Sequence, residues 1–394
     1  MSWPVVKLGD VVKFIGGSQP PKSTFKYEPM EGYIRLLQIR DYKSNNNLTF
    51  IPESSTKKFC SKKDIMIGRY GPPVFQILRG LEGAYNVALM KAEPSKSVDR
   101  DYLFYFLRQD TLFRLIDGLS QRTAGQSGID MDALKSYPML LPPLDEQKRI
   151  AAILDKADAI RRKRQQAIQL ADDFLRSVFL DMFGDPISNP KEWEVKKLKE
   201  ISSKISSGNT PKGGSKNYVD EGITFMRSQN VWKNKLLLDD VVYIDEKTHE
   251  SMSKSSLKRK DILMTKTGRI NTENSSLGRA ALYLGEDGKA NLNGHVYFIR
   301  LVENILHEFV VFILTTIEYR DYIRSVCVGG IDKRQLNKNH LEEFPIIYPP
   351  KKMQEQFVKK VNVASNMLEK AKSGLKESEQ MFNGLSQKAF SGEL

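Results

Sequence analysis

LPPLDEQKRI (141–150), AAILDKADAIRRKRQQAIQLADDFLRSVFLDMF (151–183) and GDP (184–186) form one uninterrupted stretch with marked ends. Pro142 and Pro143 are excluded from a helix interior, so the helix must begin at or after them, with Asp145 placed to cap its first free N–H groups. Glu146 puts negative charge at the positive end of the helix dipole. Gly184 is the expected left-handed stop, and Pro186 prevents resumption. Between these marks Ile150, Ile153, Ala157, Ile160, Ala167, Ala171, Phe174, Val178 and Met182 recur in steps of three and four, with Arg164 occupying one seam position. A stripe this narrow calls for one partner helix. The helix should run about 55–60 Å at 1.5 Å per residue.

The partner lies at the end of the chain. IYPPKKMQEQ (347–356) mirrors LPPLDEQ, read with two extra residues after the prolines. Its stripe is Phe357, Val361, Ala364, Leu368, Ala371, Leu375, Ser378, Phe382, Leu385 and Ala389. Gly374 and Gly384 fall inside it; each costs about 1 kcal/mol against Ala, and both are expected to mark close contacts.

Outward from these helices, one pattern is written twice. WPVVKLGDVV, from Trp3, matches WEVKKLKEIS, from Trp193. GGSQPPK (16–22) matches SGNTPKGG (207–214), both exposed Gly/Pro/Lys turns. EGYIRLLQIRDYK (31–43) matches EGITFMRSQNVWK (221–233), and KKDIMIGRYG (62–71) matches KRKDILMTKTG (258–268). NVALMKA (86–92) matches HVYFIRL (295–301). A helical stretch follows in each half (101–116 and 307–323), then a polar Gly loop (122–134 and 328–336), then an apolar run into two prolines. This order implies two copies of one mixed α/β domain, each followed by a long helix: an α+β chain with domains at 1–144 and 185–351 and helices at 145–184 and 352–394.

The 394 residues allow two or three domains, and a net charge of +13 favours a polyanionic partner, nucleic acid first. Cys60 and Cys327 have no metal spacing and read as reduced, packed thiols of a cytoplasmic protein. FVVFIL (309–314) is too short to cross a bilayer, and no secretory signal opens the sequence. Catalytic patterns are missing. The four histidines form no HExxH or HxE…CxxC set, and no GxSxG turn occurs. GNTPKGGSK (208–216) has Ser before Lys where a phosphate loop needs Lys first. There is no Asn/Asp-Pro-Pro-aromatic motif of the aminomethyltransferase kind. The chain reads as a binder without metal, cofactor or catalytic residues.

The stretch from PPLDEQKRIAAILDKADAI through MFGDP resembles the central region of the specificity (S) subunits of type I restriction–modification enzymes. The Trp-led openings, Gly-Pro-Lys loops, paired Pro-Pro helix starts and final AFSGEL extend that resemblance over the whole chain. It implies two target recognition domains, each reading one half of a bipartite sequence in double-stranded DNA. It implies that the long helices pair as an antiparallel coiled coil and hold those domains apart. Two methyltransferase (modification) subunits would dock on the helices, bringing S-adenosylmethionine and the active site, and restriction (motor-nuclease) subunits would join that complex. The loops are expected to present Lys22, Arg35, Arg69, Arg79 and Arg122 in the first domain. In the second they would present Lys212, Arg227, Lys266, Arg269, Arg279 and Arg334. Arginine suits guanine edges and lysine phosphate. Gln38, Gln76, Gln126, Gln229 and Asn230 are weaker candidates for reading adenine.

Overall fold

The computed structural model describes residues 3–71, 73–120, 128–270, 274–330 and 332–394. The chain divides into two compact units, Met1–Ala167 with Ala371–Leu394, and Ile168–Lys370. Each unit holds one mixed domain and portions of both long helices.

In the first unit the chain runs β1 (Val5–Lys7), α1 (Leu8–Val11), β2 (Val12–Gly16), β3 (Tyr33–Leu37), β4 (Phe50–Pro52), β5 (Phe59–Cys60) and β6 (Ile65–Gly68). It continues through β7 (Gln76–Leu78), β8 (Gly83–Tyr85), β9 (Leu89–Pro94), α2 (Arg100–Leu107), α3 (Asp110–Ser120), α4 (Met131–Ser136), β10 (Pro138–Leu140) and α5 (Leu144–Phe183). Two four-stranded sheets have the orders β2-β9-β6-β7 and β4-β3-β8-β5, and β1 pairs with β10. β6 reads Ile-Met-Ile-Gly and is buried on both faces, which explains its continuous apolar run.

The second unit repeats this plan. Its elements are β11 (Val195–Lys197), β12 (Ser202–Ser207), β13 (Tyr218–Val219), β14 (Ile223–Met226), β15 (Val242–Ile244), α6 (Glu246–Ser251), β16 (Ile262–Thr265), β17 (Thr267–Gly268), β18 (Ala280–Leu282), β19 (Ala290–Leu292) and β20 (Val296–Leu301). Then come α7 (His307–Thr315), α8 (Ile317–Val326), β21 (Val328–Gly330), β22 (Lys333–Gln335), α9 (Lys338–Glu342), β23 (Pro345–Ile347) and α10 (Lys351–Ser391). The order β12-β20-β16-β18 reproduces β2-β9-β6-β7, and β11 pairs with β23 as β1 does with β10. In both copies the middle strand of the other sheet has one antiparallel and one parallel neighbour: β3 between β4 and β8, β14 between β15 and β19. The predicted repeat is therefore present in the order and direction of these shared strands, while the fourth strand of that sheet differs, β5 pairing with β8 in the first copy and β13 with β15 in the second. The second copy adds a small β17-β22-β21 sheet.

The start of each long helix is built by glutamine. Gln147, fully buried, donates from Nε2 to the carbonyls of Pro142 (2.8 Å) and Ser97 (2.9 Å) and accepts from the Asp99 N–H (2.7 Å). Gln354, also buried, donates to the Pro349 carbonyl at 2.7 Å. Each glutamine reaches the first proline of its own pair, five residues back, so both helix starts have equal spacing and the second has no two-residue insertion. Asp145 lies inside the first turn of α5 rather than capping it, paired with Lys148 at 3.8 Å. Gly184 takes φ 77° and donates to the Leu180 carbonyl, the predicted stop.

Within the first unit, Arg149 meets the carbonyl of Leu394, Arg161 lies over Phe382 and Arg164 donates to the carbonyl of Gly374. Rising numbers on α5 meet falling numbers on α10, so the helices run antiparallel. The predicted α10 stripe is the one that turns inward. On α5 three positions of the expected stripe, Ile160, Ala167 and Phe174, are displaced. Ile160 and Phe174 are 43% and 57% exposed, while Leu175 is 8% exposed and Arg161, Arg164 and Ile168 are half-buried. The true seam steps through Ala157, Arg161, Arg164, Ile168, Ala171 and Leu175. Gly374 is a close contact, since a Cβ there would meet the Arg164 guanidinium at 3.1 Å; Gly384 has no such neighbour. Among the described residues no helix is long and apolar enough to cross a membrane.

Candidate nucleic-acid interface

In both copies, loops converge at one end of the sheet containing β6 or β16. Gly17 leaves β2 and donates to the Leu89 carbonyl (3.0 Å); Gly208 leaves β12 and donates to the Val296 carbonyl (2.9 Å). A Cβ on Gly17 would overlap the Asn86 carbonyl, and one on Gly208 the Leu292 carbonyl, so each Gly/Pro/Lys loop needs glycine where it crosses the neighbouring turn. That turn is held by asparagine. Asn86 Oδ1 accepts from the Ala88 N–H (3.1 Å) and Asn293 Oδ1 from the His295 N–H (3.0 Å). The basic loop docks on the same turn, through Arg69 N–H to Ala88 O (2.8 Å) and Lys266 N–H to His295 O (3.0 Å). The polar Gly loop joins it. Gly128 lies against the Tyr70 ring, and β22 pairs with β17 so that Arg334 faces Gly268.

These contacts correct two of the repeat matches. Leu37 accepts from the Asn86 N–H and Met226 from the Asn293 N–H, so Gln38, not Leu37, occupies the place of Arg227. Gln38 and Arg227 share a local fold in which their N–H groups reach Asp41 Oδ2 (2.6 Å) and Asn230 Oδ1 (2.8 Å). The strand match was one residue out of step, which exchanges the two faces of the sheet. The match of 86–92 with 295–301 was two residues out, which preserves the faces and so left no trace in the apolar pattern. Asn86 and Asn293 were missed for that reason. An asparagine opening each strand run was the available signal.

The structure separates the predicted basic residues by what already holds them. Lys22, Lys212 and Arg269 are exposed. Arg69 is half-buried beside Tyr70, its guanidinium 5.3 Å from that ring, with the Val87 carbonyl at 3.4 Å. Lys266 lies 4.3 Å from the centre of the Tyr297 ring, and burial lowers its pKa below the ordinary lysine value. Arg334 donates to the Cys327 carbonyl at 3.0 Å.

Four others are engaged inside their domains. Arg35 bonds Asn45 (3.0 Å) and faces Asp41 (3.7 Å). Arg79 stacks 3.7 Å over Phe104 and pairs with Asp101 (2.6 Å) and Asp155 (3.6 Å). Arg227 pairs with Asp240 at 3.0 Å. Arg279 is buried, stacked 3.7 Å over Trp232 and bonded to the carbonyls of Asn274 and Ser275, and burial and then Arg320 lower its pKa. Arg122 and Gln126 lie outside the described residues. Gln38, Gln76 and Gln229 donate to Thr49, Pro73 and Asp240. Asn230 is buried, its Nδ2 on the carbonyls of Leu237 and Asp240, so it has no free edge for a base. Among the described residues no cluster of three or more His, Cys, Asp or Glu could hold a metal ion.

Known proteins are similar to this chain in sequence and in fold. The family model for the type I restriction modification DNA specificity domain matches residues 1–170 and 190–376. The MjaVIII type I restriction enzyme specificity subunit of Methanocaldococcus jannaschii is 24% identical over 383 residues, 93% of this chain and 87% of that protein. The MjaIX specificity subunit of the same organism is 22% identical, covering 90% of this chain and 85% of its own. Among solved structures, the type I restriction-modification S subunit from M. genitalium superposes with a TM-score of 0.60 at 16% identity, covering 99% of this chain and 96% of that one. A chain from a study of the assembly and conformational transition of the type I R-M system gives 0.52 at 15% identity, covering 100% of this chain and 98% of its own.

Proposed function

This chain belongs to the type I restriction–modification DNA specificity family, and on that premise we propose that each of its two domains reads one half of a bipartite site in double-stranded DNA. The observation that carries this reading is the repeat of one loop cluster, basic and glycine-pinned, at the same end of the same sheet in both copies. Lys22 and Arg69 serve the first half-site; Lys212, Lys266, Arg269 and Arg334 serve the second. Arg35, Arg227 and Arg279 shape the loops that carry them, while Arg79, tied to Asp101 and Asp155, sits at the other end of its sheet.

The chain itself performs no catalysis and acts in the cytoplasm. Methyltransferase subunits dock on the long helices, and restriction subunits join through that complex. Exposed apolar side chains support the docking. In the second unit Leu170 and Phe174, one turn apart on α5, and Val363 and Met367, one turn apart on α10, are all more than half exposed. In the first unit Ile160 of α5 and Met381 of α10 are single exposed apolar residues, at 43% and 46%. Apolar residues one turn apart suit helices laid alongside.

The test is co-expression with a methyltransferase subunit of the same system and mapping of methylated sites across a genome. Arg69→Ala should relax preference in one half-site and Lys266→Ala in the other, by about 1–3 kcal/mol where the residue reads a base. A change that relaxed both half-sites alike would defeat the assignment of one domain to each.

A further inference from the structure

At the opposite end of the first domain's sheet from its recognition loops lies an open cavity of about 660 Å³. Lys63 precedes β6 and Arg69 follows it, so the strand separates the cavity from the DNA-facing end. Five cationic side chains line it, Lys62, Lys63, Arg79, Lys96 and Arg100, against the carboxylates of Asp99 and Asp101. Three of the cations have carboxylate partners: Lys62 with Glu82 (3.1 Å), Arg79 with Asp101 (2.6 Å) and Arg100 with Asp64 (3.8 Å). Lys63 and Lys96 are exposed and have no ion pair within 4.0 Å among the described residues. The lining also includes apolar surface from Pro94, Val98 and Leu144, the last 40% exposed at the start of α5.

The second domain builds the same corner with less positive charge, keeping cations, Arg259 and Lys260, at the places of Lys62 and Lys63. Asp64 and Asp261 occupy matching turns, accepting from the N–H of Ser61 and of Lys258 at 2.8 Å each. After the following strand, Ser95 N–H reaches Val11 O as Val302 N–H reaches Ile201 O, which places Glu303 where the first domain has Lys96. The counterpart of Lys63 is Lys260, and it is paired with Glu308 at 3.3 Å. The fold therefore does not require the basic corner. It is particular to one copy, unlike the loop clusters that recur in both.

We propose that this cavity is a docking site for an acidic, partly apolar peptide segment of a protein partner, bound once per chain. Unpaired lysines around an apolar floor complement carboxylates alternating with aliphatic side chains, and the volume falls in the range of about 300–1,000 Å³ usual for ligand sites. Nothing in the cavity offers an aromatic face to a nucleobase.

The test titrates the purified full chain, without DNA, with a short fluorescent peptide of alternating glutamate and leucine. One peptide should bind per chain, more weakly as salt rises. The double reversal K63E/K96E should weaken binding at least about tenfold, a 1.4 kcal/mol change. It should also bind a lysine–leucine peptide that the unaltered chain rejects, a gain that misfolding cannot produce. Duplex affinity of the reversed chain should be unchanged. Equal peptide binding before and after reversal would overturn the proposal. A reversal that weakened duplex binding instead would make the cavity part of the DNA face and overturn it equally. Neither peptide result depends on the half-site reading.

Discussion

The two units seat the long helices by different chemistry. In the second, Phe179 and Phe183 of α5, Phe357 of α10, and Phe309 and Phe312 of α7 form an aromatic cluster with several ring centroids 4.8–5.5 Å apart. In the first, Phe382 and Phe390 of α10 meet Tyr102, Tyr105 and Phe106 of α2. A charged layer is added there. Asp158, buried, accepts from Arg161 (2.5 Å), Arg162 (3.3 Å) and Arg108 (3.4 Å), and the guanidiniums of Arg161 and Arg108 lie over Phe382. Tyr105 completes the layer with a 2.9 Å bond to Asp155, and burial and then that bond raise its pKa. Equivalent positions in a repeat thus fix where helices touch, but not whether the contact is apolar or ionic. The two junctions should answer differently to mutation, salt and acid.

The largest break should come from Phe357→Ala. Its ring is fully buried among four others, so the truncation should cost about 3–5 kcal/mol. Denaturant unfolding of the full chain should show the loss, insensitive to salt. A cost below about 1 kcal/mol would mean the cluster repacks.

Asp158→Ala attacks the other junction. The carboxylate is 5% exposed, but its arginines are 25–58% exposed and can rehydrate, so the expected cost is about 1–3 kcal/mol, below that of a fully buried pair. The difference from the unaltered chain should shrink as salt rises. A salt-independent difference would remove the ionic distinction between the units.

The glutamines at the helix starts sharpen the comparison further. Gln147→Ala leaves the Ser97 and Pro142 carbonyls and the Asp99 N–H without their partner and should cost about 1–3 kcal/mol. Gln354→Ala removes the matching bond to Pro349 and should cost less, about 1 kcal/mol. Equal costs would show that the tie from Gln147 to the segment before α2 contributes nothing.

The smallest effect is confined to acid. Lys197 and Lys199 each bond Glu343 at 2.5 Å and hold its carboxyl down at about 2. The first copy has Ser136 at that place, because Tyr137 and Phe344 make the same bond to Leu8 and Leu198. A carboxyl depressed on folding stabilises above its ordinary pKa, and the benefit disappears as pH falls from about 4.5 toward 2. Trp193 and Trp232 fluorescence followed through acid should report a shallower loss in Glu343→Gln, which has no such benefit to lose. Identical acid profiles would show that this exposed tie is fully screened.

Much of this molecule was legible in one dimension. The long helices, their partnership, the α10 stripe and the order of the repeat all rest on local periodicity and on prolines and glycines, whose constraints need no distant partner; the antiparallel sense of the pairing was implied only by the family resemblance. The α5 seam was legible only in part. Ala157, Arg164, Ala171 and Val178 fit either of two stripes, one completed by Ile160, Ala167 and Phe174, the other by Arg161, Ile168 and Leu175. Packing against α10 chose the second, half-burying an arginine in preference to Ile160, because a helix exposes whatever its partner does not cover.

The basic residues divide the same way. Residue type and loop position drew attention to all eleven candidates. What occupies Arg79, Arg227 and Arg279 comes from Asp101 and Asp155, from Asp240 and from Trp232, brought in by the fold. Sequence alone determined which elements form and how often they recur, since those follow from each segment's own pattern. Tertiary structure decided which faces and charges remain free, since a side chain's freedom depends on neighbours that lie far along the chain.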